Sequence, residues 1–233
     1  MNSKSRSLSG AALTLVVIPI FAGLLACMPV PIGDPERSRI DPELTGVWVT
    51  LTSNEFFSEA GFYVFEPYDK RTWLVAGMGL VEGDNQDLPD LDLTTYDGWV
   101  ELAAADPVNK GYVSIESMVV YKAWLKKLGG EVFMTWEPKL FLDEGIAEPE
   151  VWFTYRVIKK GHDRIEMHYV DGESDLFDDV DETRRAYERV ISRNADNPEL
   201  YADEDGADVV LVRVQDAELE LFEELLNIVV SWD

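Results

Sequence analysis

The chain has 233 residues, 46% of them hydrophobic, which suits a single domain with a core of ordinary size. Its 45 Asp and Glu outnumber 20 Lys and Arg for a net charge of −25, and so acidic a surface repels phosphate backbones, which excludes general nucleic-acid binding. One cysteine excludes an internal disulfide framework and any Cys-rich metal site, and two histidines leave little for a His-based metal centre.

Residues 1–26 predict an export signal. Lys4 and Arg6 form a short basic stretch, and residues 11–25 form an apolar run interrupted by Thr14, Pro19 and Gly23. That run is shorter than the roughly 20 apolar residues that cross a hydrocarbon layer and no stop-transfer signal follows it, so cleavage is expected. Leu24-Leu25-Ala26-Cys27 resembles the bacterial lipobox, with a small residue before the scissile bond and a cysteine after it. In lipoproteins of that kind the cysteine thiol carries a diacylglycerol and the new amino terminus is usually acylated. The resemblance therefore implies lipidation at Cys27 and a bilayer as partner. Met28 is not the aspartate that retains many such proteins in the inner membrane, so the expected location is the outer membrane, facing the periplasm.

Pro29, Pro31, Pro35 and Pro42 stiffen the next stretch, and residues 27–44 are expected to form an extended spacer that holds the domain off the membrane. Removing the signal takes two basic residues and no acidic ones, leaving 18 against 45 and a net charge of −27. Lipid, rather than charge, must then provide the anchoring.

From residue 45 to 233 the pattern predicts a mainly β domain, an antiparallel barrel or strongly rolled sheet with one or two helices near the carboxyl end. Residues 46–51, 62–65 and 72–76 are β-rich, and residues 112–121 alternate with Val113, Ile115, Val119 and Tyr121 on one face. Residues 121–128 suit either a helix or the first arm of a hairpin turning at Gly129-Gly130 into residues 132–136; the diglycine favours the hairpin. A second hairpin pairs residues 151–158 with 164–170 across a polar turn. Helices are expected only late in the chain. Asp181 is placed to cap one over residues 182–193, and Asp216 to cap another with Leu219, Phe222, Leu226 and Val229 on one stripe, the two flanking a strand over 209–214.

Gly46-Val47-Trp48 at the start of the first strand resembles the Gly-X-Trp motif of lipocalin barrels. In that family the tryptophan closes the barrel floor, often under an arginine of the last strand, and the resemblance gives that role to Gly46, Trp48 and Arg213. The second motif of the family is absent: Thr95-Tyr96-Asp97 has its residues in another order. Another antiparallel β fold remains the alternative. A barrel interior could hold a lipid or small apolar ligand against Tyr63, Phe65, Trp73, Trp136, Phe153 and Tyr155, although aromatics at strand spacing are ordinarily core packing, which is the favoured reading of each.

Catalytic signatures are missing: the chain contains no Gly-X-Ser-X-Gly, His-Glu-X-X-His or phosphate-loop motif, so a non-enzymatic protein without a cofactor is expected, and a hydrolase is the lesser alternative. His162 falls in a polar turn, and His168 with Glu166 is the one candidate acid–base pair. Asp171, Glu173, Asp175, Asp179 and Glu182 follow the oxygen spacing of a calcium loop, but Leu176 replaces the turn glycine, which favours a solvated acidic loop. Arg184, Arg185, Arg189 and Arg193 form a basic cluster expected to pair with the acidic run 178–182, the alternative being a grip on lipid phosphates or a polysaccharide carboxylate. Two functions follow: a membrane-anchored lipoprotein binding an apolar or amphipathic ligand, or a tethered module with a filled core that serves an envelope protein partner.

Overall fold

A computed structural model describes residues 27–51, 60–83, 91–141, 145–146, 151–202 and 208–230. The expected export signal lies outside them. The strands are β1 (Gly46–Leu51), β2 (Gly61–Pro67), β3 (Trp73–Glu82), β4 (Val113–Leu128), β5 (Glu131–Phe141), β6 (Gly145–Ile146), β7 (Phe153–Lys159), β8 (Arg164–Tyr169) and β9 (Val209–Arg213). Neighbours in sequence pair from β1 to β5, then β5 pairs with β7, β7 with β8, β8 with β9, and β9 returns to β1. Eight strands thus close into an antiparallel barrel, with the two-residue β6 appended to β5. Closure pairs the backbone groups that an open sheet would leave at its edges.

The two ends of the barrel differ. At one end the strands are joined by short turns, residues 68–72, 129–130 and 160–163, and at the other by all the long connections. The first we call the closed end and the second the open end. Gly129 (φ +61°) and Gly130 (φ +99°) make the β4–β5 turn, which requires the left-handed backbone that glycine adopts without penalty, so residues 121–128 are strand and not helix.

Alternation along the strands divides the apolar residues into three groups. Trp48, Phe65, Trp73, Val75, Met134, Trp136, Ile165, Met167 and Leu211 fill the lumen toward the closed end. The outer faces of β1, β2 and β3 are covered by α1 (Tyr96–Ala104) and α3 (Leu219–Val230), whose Trp99, Leu102, Phe222 and Leu225 are buried there. The outer faces of β4 and β5 are covered by α2 (Arg184–Asn194) and by the amino-terminal segment, with Met28, Ile32, Phe133, Tyr187 and Ile191 in one cluster.

Several expectations need correction. The proline-rich segment 27–44 is not an extended spacer: Met28 and Ile32 are fully buried, and Leu44 is 2% exposed. Met28 N–H donates to the Trp152 carbonyl (2.9 Å), while the Ile32 carbonyl accepts from Trp124 Nε1 (2.7 Å) and Thr135 Oγ1 (2.8 Å). Proline fixed the local extension but did not determine what the extended chain packs on. α1 lies well before the carboxyl third. Thr95 caps it by accepting from Gly98 N–H (3.2 Å), and the helix buries Trp99 and Leu102 against the barrel. The cap of α2 is Thr183, accepting from Ala186 N–H (3.3 Å), two residues beyond the expected Asp181. Within β4 the single apolar face is broken. A register shift opposite Gly79 and Leu80 leaves Val119 and Tyr121 facing the lumen and turns Val113 and Ile115 outward against the α1 cluster.

Candidate functional site

Gly46 enters β1 at φ +129°, a conformation open to glycine. Trp48, two residues on, is the register partner of Arg213, whose guanidinium lies 4.8 Å from the indole centroid. Trp48 Nε1 donates to the Leu44 carbonyl (2.9 Å), and Arg213 donates to the Glu43 carbonyl. The single 3-10 turn Pro42–Leu44 is thereby fastened across the closed end, with Leu44 inserted into the lumen core. Gly46, Trp48 and Arg213 form one structural unit.

Toward the open end the described residues stop short of filling the barrel. The inward positions there are small: Gly61 on β2, Gly77 and Gly79 on β3, Thr50 on β1 and Ser117 on β4. With Tyr63 and Tyr121 they line a cup of about 200 Å³. The Thr50 hydroxyl both accepts from Gly61 N–H (2.9 Å) and lies 3.0 Å from the Gly61 carbonyl, which pins β1 to β2 where their ladder ends. Aromatic rings cluster on Trp136 of the lumen core: it meets Tyr121 at 5.0 Å, Tyr155 at 5.3 Å and Tyr63 at 5.4 Å, and Tyr155 meets Tyr169 at 5.2 Å. Phe153 bridges Tyr121 and Tyr169.

Polar atoms in this ring cluster are under-used. Trp136 is 3% exposed and its Nε1 has no hydrogen-bond partner. No hydrogen bond to the hydroxyls of Tyr63, Tyr121 or Tyr155 occurs among the described residues. Burial raises all three phenols above the ordinary tyrosine value, Tyr121 and Tyr155 strongly, so they stay neutral donors at any physiological pH. The cup offers the rings and neutral hydroxyls of Tyr63 and Tyr121, and no charged side chain is among its described lining residues.

Cys27 sits at the open-end rim. Its neighbour Met28 bridges to Trp152, just before β7, and its thiol hydrogen-bonds with Tyr169, the last residue of β8. Burial pushes the thiol up, and the Tyr169 hydrogen bond offsets part of that shift.

The other candidates fall elsewhere. Of the six aromatic candidates only Tyr63 lines the cup; Phe65, Trp73 and Trp136 are buried in the filled lumen core, and Phe153 and Tyr155 pack against that core. Asp171, Glu173, Asp175, Asp179 and Glu182 do not converge; among the described residues no three His, Cys, Asp or Glu are placed to hold a metal ion. Asp171 instead accepts from Glu173 N–H, and Ser174 caps a turn that places Phe177 on Tyr187 in a stacked pair at 4.8 Å. Glu166 pairs with Lys160 and Arg164, while His168 lies against Tyr201, so the acid–base pair is not formed. His162 is 91% exposed beside Glu43. Arg184, Arg185, Arg189 and Arg193 are all exposed and none has a carboxylate within 4.0 Å among the described residues, which include 178–182, so the expected pairing is absent.

Sequence reasoning missed Tyr121, Tyr169, Thr50, Ser117 and the three cup glycines. Gly77-Met78-Gly79 carried the detectable signal, since glycines two apart on a strand empty one face. Among the described residues no helix is long and apolar enough to cross a membrane. Fold and site define a small closed β barrel, braced by tryptophan and arginine at one end and cupped at the other. No family model, curated protein or solved structure matches the chain.

Proposed function

We propose that the protein is a lipoprotein of the bacterial envelope, anchored through acylated Cys27 in the outer membrane and facing the periplasm, whose barrel holds a small apolar or amphipathic ligand in its open-end cup. The observation that carries the ligand is the cup itself, where Gly61, Gly77, Gly79, Thr50 and Ser117 leave the lumen unfilled beside the Tyr63 and Tyr121 hydroxyls, which have no hydrogen-bond partner among the described residues. Each of these neutral hydroxyls can donate to a ligand oxygen. The described lining residues include no cation and the chain is acidic, so a neutral acceptor such as an ester, ketone or hydroxyl fits better than a carboxylate or phosphate. At about 200 Å³ the cup is smaller than the roughly 300–1,000 Å³ of drug-sized sites, which suits a small molecule or one end of a longer one.

The test is native mass spectrometry of the lipidated chain purified from its own host. A stoichiometric non-covalent adduct is expected. It should be lost in Gly77→Val, because a β-carbon there lies 2.6 Å from the Tyr63 ring and drives that ring into the cup. A wild-type chain with no adduct would favour the filled-core module serving a protein partner, the reading supported by the packed lower lumen.

A further inference from the structure

The unpaired arginines of α2 stand out in a chain with so large an acid excess. Arg185, Arg189 and Arg193 repeat every fourth residue along the exposed side of the helix, opposite the buried Tyr187 and Ile191, and Arg184 is exposed beside them. The remaining charges of that helix are already used: Glu188 accepts from Gly33 N–H (3.0 Å) and pairs with Lys126 (3.7 Å).

A second observation places this stripe relative to the anchor. α2 is docked on the amino-terminal segment that begins at Cys27: Arg184 Nε donates to the Pro31 carbonyl (3.2 Å), and Met28, Ile32, Tyr187 and Ile191 share one buried cluster. A free linker of some 17 residues would let the barrel wander by roughly 20 Å and leave its orientation open. Here the residue after Cys27 is fully buried, so an attached lipid has no slack and its position dictates which side meets the bilayer.

We propose that the α2 face is a membrane-contact surface, with Arg185, Arg189 and Arg193 lying against the anionic phospholipid headgroups of the same bilayer that holds the Cys27 lipid. The inference rests on the lipoprotein reading. Arginine matches phosphate oxygens with paired donors, and a local basic stripe can meet an anionic surface while the remainder of an acidic chain points to solvent. Charge of this kind could not hold the protein unaided, but with the anchor in place it selects an orientation.

The experiment uses the lipidated full chain in vesicles of phosphatidylethanolamine and phosphatidylglycerol carrying a nitroxide headgroup lipid. A fluorophore is placed at Ser192→Cys on α2 or, as the opposite-face comparison, at Leu221→Cys on α3; both positions are exposed. Quenching several-fold stronger at 192 than at 221 is expected. The charge reversal Arg185→Glu, Arg189→Glu, Arg193→Glu should remove that preference while the chain still floats with the vesicles, and the milder Arg→Gln triple variant should weaken it. Equal quenching at both positions, or a preference indifferent to the reversal, would overturn the orientation while leaving the anchor intact. A wild-type chain that fails to float would overturn the lipoprotein reading itself.

Discussion

The side chain of Ile32 offers a quantitative test of how the amino-terminal segment is held. It is fully buried, whereas the hydrogen bonds of the residue run through its backbone carbonyl and survive truncation. Ile32→Ala removes three carbons at about 0.8 kcal/mol each, and the incompletely collapsed cavity adds to that, for a cost of about 3 kcal/mol. In a domain of this size the melting midpoint should fall by about 6–12 °C. Urea titration of wild type and variant, followed by circular dichroism, gives the difference directly, with an unchanged slope if the fold is otherwise kept. A loss below about 0.5 kcal/mol is what an exposed spacer would give. That result would refute the packed segment, and with it the fixed position of Cys27.

Three other outcomes are expected. A double-mutant cycle on Trp48→Phe and Arg213→Met should return a coupling of about 0.5–2 kcal/mol, from a guanidinium 4.8 Å above an indole; additivity within about 0.3 kcal/mol would show that the closed-end pair contributes nothing specific. Burial and the Glu218 carboxylate push the Tyr96 hydroxyl from 10.0 up to about 12. Because the folded value is the higher one, its contribution is complete below about pH 10 and is lost as pH climbs toward 12, so Tyr96→Phe should flatten stability against pH in that window, and an unchanged slope would count against the assignment. Gly129→Ala should cost about 1–3 kcal/mol in chemical denaturation, since it combines φ +61° with a β-carbon 2.5 Å from the Ser192 carbonyl; a neutral effect would mean that α2 does not pack on the β4–β5 turn.

Most of the barrel was legible because its strands alternate and its turns carry glycine. The hairpins at 129–130 and 160–163 follow from local chemistry, and Gly46 and Trp48 announce the closed end. Features that depend on distant partners were not legible. α1 is a nine-residue helix with a glycine in its first turn, stabilised by Trp99 donating to the Thr50 carbonyl (2.7 Å), a contact 49 positions away. The shift in β4 arises from its pairing with β3, which no pattern within residues 112–121 reveals. Candidate cup residues were recognised as aromatic, yet only closure of β1 on β9 and β4 on β5 separates Tyr63, which lines the cup, from Phe65 and Trp73, which fill the floor. The arginines of α2 were visible as a stripe; their lack of acidic partners became apparent only once residues 171–183 were seen turning back on Phe177 and Ser174.

The central claim is the lipid at Cys27, and the intact mass of the protein extracted from its own host tests it most directly. The expected species begins at Cys27 and carries a thioether-linked diacylglycerol with an acylated amino terminus, and Cys27→Ser should abolish both the added mass and membrane retention. A chain that retains residues 1–26, or one that begins at Cys27 with an unmodified thiol, would contradict it.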